Sequence, residues 1–169
     1  MINLSLFVER LNEYIDDKNL TVSGLAKEIK FSRATVSGLL NKAHTPSAKI
    51  LIALTEYFNC PADYLLGLTD FPADKNFGCV KPFGPILRTC LKNAKITETQ
   101  LQKDLKISSS LTYRWLSSKA MPGVNSLYEL AKYLGCWVDY LLGRENLWIM
   151  QELPVVCRAL VLARVLRKY

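Results

Sequence analysis

The chain has 169 residues, half of them hydrophobic and 22% charged, enough to bury a core and too apolar for a disordered tail. Its net charge of +7 makes a polyanion a natural partner without naming one. Five cysteines are an odd number, no CxxC pair occurs and there is one histidine. A disulfide framework or zinc site is therefore not expected, and reduced thiols in a cytoplasm fit better.

The opening stretch MINLSLFVERLNEY carries acids early and lacks a basic start ahead of a long apolar core, so it does not read as a signal peptide. No run of about 18 uncharged apolar residues occurs, so no membrane span is expected. Leu6, Leu11 and Ile15 form a helical stripe with Phe7 and Tyr14 beside it. Thr21 then stands ahead of VSGLAKEIK as an N-cap, its hydroxyl placed to accept from first-turn amides. After the break at KFS, a short helix is predicted over 33–41, and Pro46 separates it from a longer apolar helix in KILIALTEYF. A last turn holds DYLLG, where Gly67 suits the residue past a helix end and Asp63 lies near a helix start that favours a carboxylate.

DYLLG recurs at Asp139–Gly143, an offset of 76 residues. The same offset pairs Phe7 with Phe83, Leu11 with Leu87, Thr21 with Thr97, Leu25 with Leu101, Lys30 with Lys106, Ser32 with Ser108, Pro46 with Pro122 and Cys60 with Cys136, without insertion or deletion. One small domain is duplicated. The expected organisation is a first domain at 1–68, a linker at 69–82 in TDFPADKNFGCVKP, a second domain at 83–144 and a tail at 145–169. In the second copy TETQ at Thr97–Gln100 fits a capping box, a short helix is predicted over 109–117, and Pro122 precedes another in SLYELAKYL. Five short helices per copy and no strand pattern make the fold all-α. Leu25, Ile29, Val36, Leu39, Leu51 and Leu54, with Leu101, Leu105, Trp115, Leu127 and Leu130, have the spacing of a core. Cys60 and Cys136 read as small buried hydrophobes. In the tail, residues 155–166 are apolar nearly all round apart from Arg158 and Arg164. Three readings are open there: packing on its own domain, homodimerisation against a second chain, and membrane-surface binding.

Two short helices joined by a three- to four-residue turn make a helix-turn-helix, whose second helix fits the major groove. LTVSGLAKEIKFSRATVSGLLNKAHTPSAKILIALTEYFNCPADYLLG resembles the phage-repressor and Cro-like (XRE-type) helix-turn-helix family, and ITETQLQKDLKISSSLTYRWLSSKAMPGVNSLYELAKYLGCWVDYLLG is similar to it too. The resemblance implies two tandem lambda-repressor-like domains and double-stranded DNA as partner. It places Ser32, Arg33, Ala34, Thr35, Ser37 and Gly38, and Ser108, Ser109, Ser110, Leu111, Tyr113 and Arg114, on the base-reading face. Arginine reads guanine bidentately, so Arg33 and Arg114 are the first-choice readers; the alternative is contact with phosphate or solvent alone. Thr21, Asn41, Lys42 and His44, with Thr97, Ser117, Ser118 and Lys119, fall where the family contacts phosphate.

The copies depart from that pattern in different ways. Many members hold a phosphate with Gln after the Thr that opens the second helix; Val22 and Glu98 stand there. Gln102 replaces the small Ala26, and Thr112 replaces Val36, which buries a hydroxyl that needs a partner. Residues 1–72 hold seven Lys and Arg against eight Asp and Glu, net −1; residues 73–144 hold eleven against five, net +6. The expected function is a sequence-specific transcriptional regulator with two units, on adjacent half-sites or with one inactive. The alternative is a protein-interaction module, antitoxin- or anti-repressor-like, on the same fold. An enzyme is not expected: no paired carboxylates, phosphate-binding glycine loop or metal-ligand spacing occur, and His44 has no companion ligands. No cofactor or small-molecule ligand is evident.

Overall fold

The computed structural model describes residues 2–70, 77–78 and 80–144; the expected apolar helix of the tail lies outside them. The chain divides into two compact units, 1–77 and 78–169. The first holds α1 (Leu4–Asp17), α2 (Val22–Glu28), α3 (Arg33–Leu40), α4 (Ala48–Phe58) and α5 (Ala62–Leu65). The second holds α6 (Phe83–Asn93), α7 (Glu98–Leu105), α8 (Ser109–Leu116), α9 (Val124–Leu134) and α10 (Val138–Leu141). No strand occurs among the described residues, so the fold is all-α as expected. Shifted by 76, the bounds of the second set reproduce the first, except that α6 starts three residues later and α7 ends one later. The helices predicted to reach residues 41 and 117 stop one residue sooner, with Asn41 and Ser117 as C-caps.

Each helix end is built the same way. A residue with positive φ follows the helix, and the next N–H bonds back across the last turn, as in Phe31 to Ala26 O and Ile107 to Gln102 O, both at 2.9 Å. This satisfies carbonyls that a helix terminus leaves without partners. The left-handed residues form five pairs at the 76-residue offset: Asn19 and Lys95, Lys30 and Lys106, Lys42 and Ser118, Asn59 and Gly135, Gly67 and Gly143. Glycine occupies three of these positions, so the turns are imposed on residues that L-stereochemistry disfavours there. At the other ends Thr21, Ser32 and Ser47, with Thr97 and Ser108, cap through their side chains. The capping box in the second copy is half made. Thr97 Oγ1 accepts from Gln100 N at 3.2 Å, but the Gln100 side chain donates to Asp104 Oδ1 at 2.7 Å. That charge-assisted bond outcompetes the reciprocal one, and Tyr133 OH on α9 holds the other oxygen of Asp104 at 2.7 Å.

The cores fill as the spacing predicts, with Leu11, Leu25, Leu39, Leu51 and Leu54, and Leu87, Leu101, Trp115, Leu127 and Leu130, all buried. Leu105 is the exception and is only half-buried. Gln102 stands where Ala26 lets α2 pack tightly on α3, and α7 packs less closely on α8. Thr112 is fully buried, and its hydroxyl finds the required partner in Ser108 O at 3.1 Å.

The sequence reading missed two buried arginines. Arg10 is 6% exposed; its Nη1 donates to Tyr64 O and to Thr69 O, its Nη2 pairs with Asp70, and its guanidinium lies over the Tyr64 ring. Arg144 is 3% exposed and its Nη1 donates to Asp139 Oδ1 at 2.6 Å. Asp139 is therefore half of a buried ion pair, beyond any helix-start preference. The 76-residue register places Ile86 opposite Arg10 and Leu68 opposite Arg144, so each unit fastens its closing turn differently. Both ends of the expected 69–82 linker are occupied: Thr69 and Asp70 serve Arg10, while Gly78 N donates to Arg144 O and Lys81 N to Leu142 O. No helix among the described residues is long and apolar enough to cross a membrane.

Asp139→Asn should cost about 3–5 kcal/mol, because it strands a desolvated guanidinium; a shift of the urea midpoint at constant slope measures it. Tyr14 stacks on Phe58, and burial, then Cys60, pushes its hydroxyl above the usual tyrosine range. Its raised folded-state value means stability intact below the unfolded value near pH 10 and lost above it. Tyr14→Phe should therefore unfold at higher pH than the parent in an alkaline circular-dichroism titration.

Candidate nucleic-acid interface

The second and third helices of each unit carry the candidate interface residues, and the left-handed Lys30 or Lys106 turns the chain sharply between them. In the first unit Val36 and Leu39 anchor α3 in the core, which leaves Arg33 and Ala34 exposed and Ser37 and Gly38 half-buried on the opposite face. In the second unit Thr112, Trp115 and Leu116 anchor α8, and Ser109, Ser110, Tyr113 and Arg114 are exposed. Leu111 is half-buried. Tyr113 is 62% exposed and carries the Lys119 ammonium 5.5 Å from its ring centre.

Several hydroxyls expected at DNA have structural work as well. Ser32 Oγ accepts from Thr35 N and lies 2.7 Å from Thr35 Oγ1; Ser108 Oγ accepts from Leu111 N. Thr21 and Thr97 spend an acceptor on Gly24 N and Gln100 N. Ser117 Oγ donates to Arg114 O at 3.3 Å, and Asn41 Nδ2 sits 3.5 Å from Ser37 Oγ. Lys42 and Ser118 share the same left-handed position after the recognition helix but reach different atoms. Lys42 Nζ donates to Ser5 Oγ, whereas Ser118 Oγ accepts from Gly84 N at 2.9 Å. Lys119 and His44 are exposed.

Residues 11–65 match a family model described as helix-turn-helix. The match falls within the first unit, which is similar to helix-turn-helix domains. No curated protein and no solved structure matches the chain. The matched segment contains the first unit's helix-turn-helix from Thr21 to Leu40 and ends within the closing turn. No group of histidine, cysteine or acidic residues able to hold a metal occurs among the described residues.

The second unit keeps this backbone but packs its recognition helix differently. A Cβ on Gly84 would fall 2.1 Å from Leu116 O and 2.7 Å from Ser118 Oγ, so α6 touches the end of α8. Val8 holds this register in α1. Close approach to α6 and a looser fit against α7 follow from two exchanges, Val8 for Gly84 and Ala26 for Gln102. Arg10 and this glycine contact carry no periodic signal, because each is set by partners distant in the chain. Gly84→Ala should cost at least about 1–3 kcal/mol through overpacking, read as a lowered melting temperature in a thermal scan.

Proposed function

We propose that the chain is a sequence-specific, double-stranded DNA-binding transcriptional regulator in which both units present a recognition helix, acting in the cytoplasm. The observation that carries the reading is the shared backbone register. The second unit repeats the helix bounds and the left-handed turns of the helix-turn-helix domain at one fixed offset. Its recognition helix exposes Tyr113 and Arg114. The units divide the work. Non-specific affinity grows with the number of phosphates neutralised, so the +6 second region supplies most of the salt-dependent attraction and the −1 first region contributes mainly through Arg33. Homodimerisation through residues 145–169 is the third element of the proposal, supported by their apolar sequence.

A protein-interaction role on the same fold is the second reading. Val22, which cannot hold a phosphate, favours it, as do Glu98, an exposed carboxylate at the start of α7 where a phosphate would meet repulsion, and the near-neutral balance of the first region. Selection from random DNA followed by gel shifts separates the two. The regulator reading expects a defined site. Arg33→Ala and Arg114→Ala should each weaken that site by about 1–3 kcal/mol and relax preference at one base pair. Lys119→Ala should weaken all sequences alike and reduce the salt slope by about one. No enrichment at low salt, with a protein captured tightly instead, would decide for the interaction module.

A further inference from the structure

Gly38 and His44 form a pair that the assignment of His44 to phosphate does not explain. Gly38 lies on the recognition helix, half-buried beside the exposed Ala34 and Asn41. A carbon placed where its side chain would begin falls 2.8 Å from His44 Nε2 and 3.2 Å from His44 Cδ2. The imidazole has folded back from the loop after the helix and fills the volume a longer residue at 38 would need. The Lys42 turn makes this reach geometrically natural: its left-handed backbone reverses the chain, and Ala43 N donates to Gly38 O at 2.9 Å. Two residues later the ring meets the same glycine.

The second unit makes the complementary choice. At the register of Gly38 it has Arg114, exposed, and at the register of His44 it has Ala120. A long side chain on the helix goes with a small one in the loop; a missing side chain on the helix goes with a large one in the loop. The two exchanges compensate in volume and in position.

We infer that His44 is a base-reading residue, supplied by the loop in place of the sixth residue of the first unit's recognition helix. The inference rests on the DNA-binding reading above. A neutral imidazole offers one donor and one acceptor nitrogen, so it can donate to a purine N7 or carbonyl, or accept from an exocyclic amine in the major groove. Arg114 offers donors alone, which suit guanine. The units therefore differ at this step of the groove in the chemistry they can read, and the two half-sites differ with them.

The test uses the full chain, a DNA library and four proteins: the parent, Arg33→Ala, His44→Ala, and the double variant Gly38→Arg with His44→Ala. Circular-dichroism melts confirm that each is folded. His44→Ala should lose about tenfold of discrimination at one base pair of the selected site, at a position other than the one Arg33→Ala relaxes, with the salt slope unchanged. The double variant should shift preference toward guanine at that place. The inference is overturned if His44→Ala weakens all sequences equally and lowers the salt slope, which is a phosphate contact. It is also overturned if the profile stays unchanged while Arg33→Ala alters it. Should the parent select no site at all, the DNA-binding reading fails and takes the inference with it.

Discussion

The whole helical framework of this chain depends on how its helices stop. All ten helices among the described residues end in a left-handed residue followed by a backbone bond of 2.8–3.1 Å across the last turn. The bonds are main chain to main chain, so they set the path of the chain whatever side chain follows. Lysine, asparagine and serine accept this conformation at seven of the ten places, against a cost of about 1–2 kcal/mol each relative to glycine. Burial of one apolar face per helix repays that strain, because a turn that failed would pull Leu25 from Leu39, or Leu101 from Trp115. Direction is thus fixed by the backbone and depth by the core, and the outward face is left to vary.

That division explains how one architecture presents two unlike surfaces. Most leucines that face inward pair with leucines at the 76-residue offset, while Arg33 meets Ser109, Ala34 meets Ser110 and Gly38 meets Arg114 on the outside. Yet the second unit is more than a resurfaced first. Its α8 touches α6 at Gly84 and packs less closely on α7, where Gln102 stands.

Much of this was legible in the sequence. Helical periodicity and the caps at Thr21 and Thr97 are local or periodic signals, and the structure carries them within a residue or two. The buried hydroxyl of Thr112 could be anticipated, together with its need for a partner. What stayed hidden arises between residues far apart in the chain: Arg10 with Thr69 and Asp70, Gly84 with Leu116, Tyr133 with Asp104. Gln100 shows the same limit on a short scale. Its pattern fits a capping box, and only the position of Asp104 decides that the amide turns the other way. For the outward residues, the sequence and the family resemblance name positions, while the roles of Ser32 and Ser118 as structural hydroxyls required coordinates.

The two arginines that fasten the closing turns have a consequence for what counts as a domain here. Arg10 comes from the first helix of its unit and Arg144 from beyond the closing turn of the other, with no shared register. The recurring DYLLG ends at Gly143, one residue short of the cation that pairs with Asp139. A fragment trimmed to the boundary of the repeat would keep a carboxylate 1% exposed and discard its counter-charge. The first domain read from the repeat, 1–68, likewise stops short of Thr69 and Asp70, the partners of Arg10, so the folding unit reaches past the recurring segment at both closing turns.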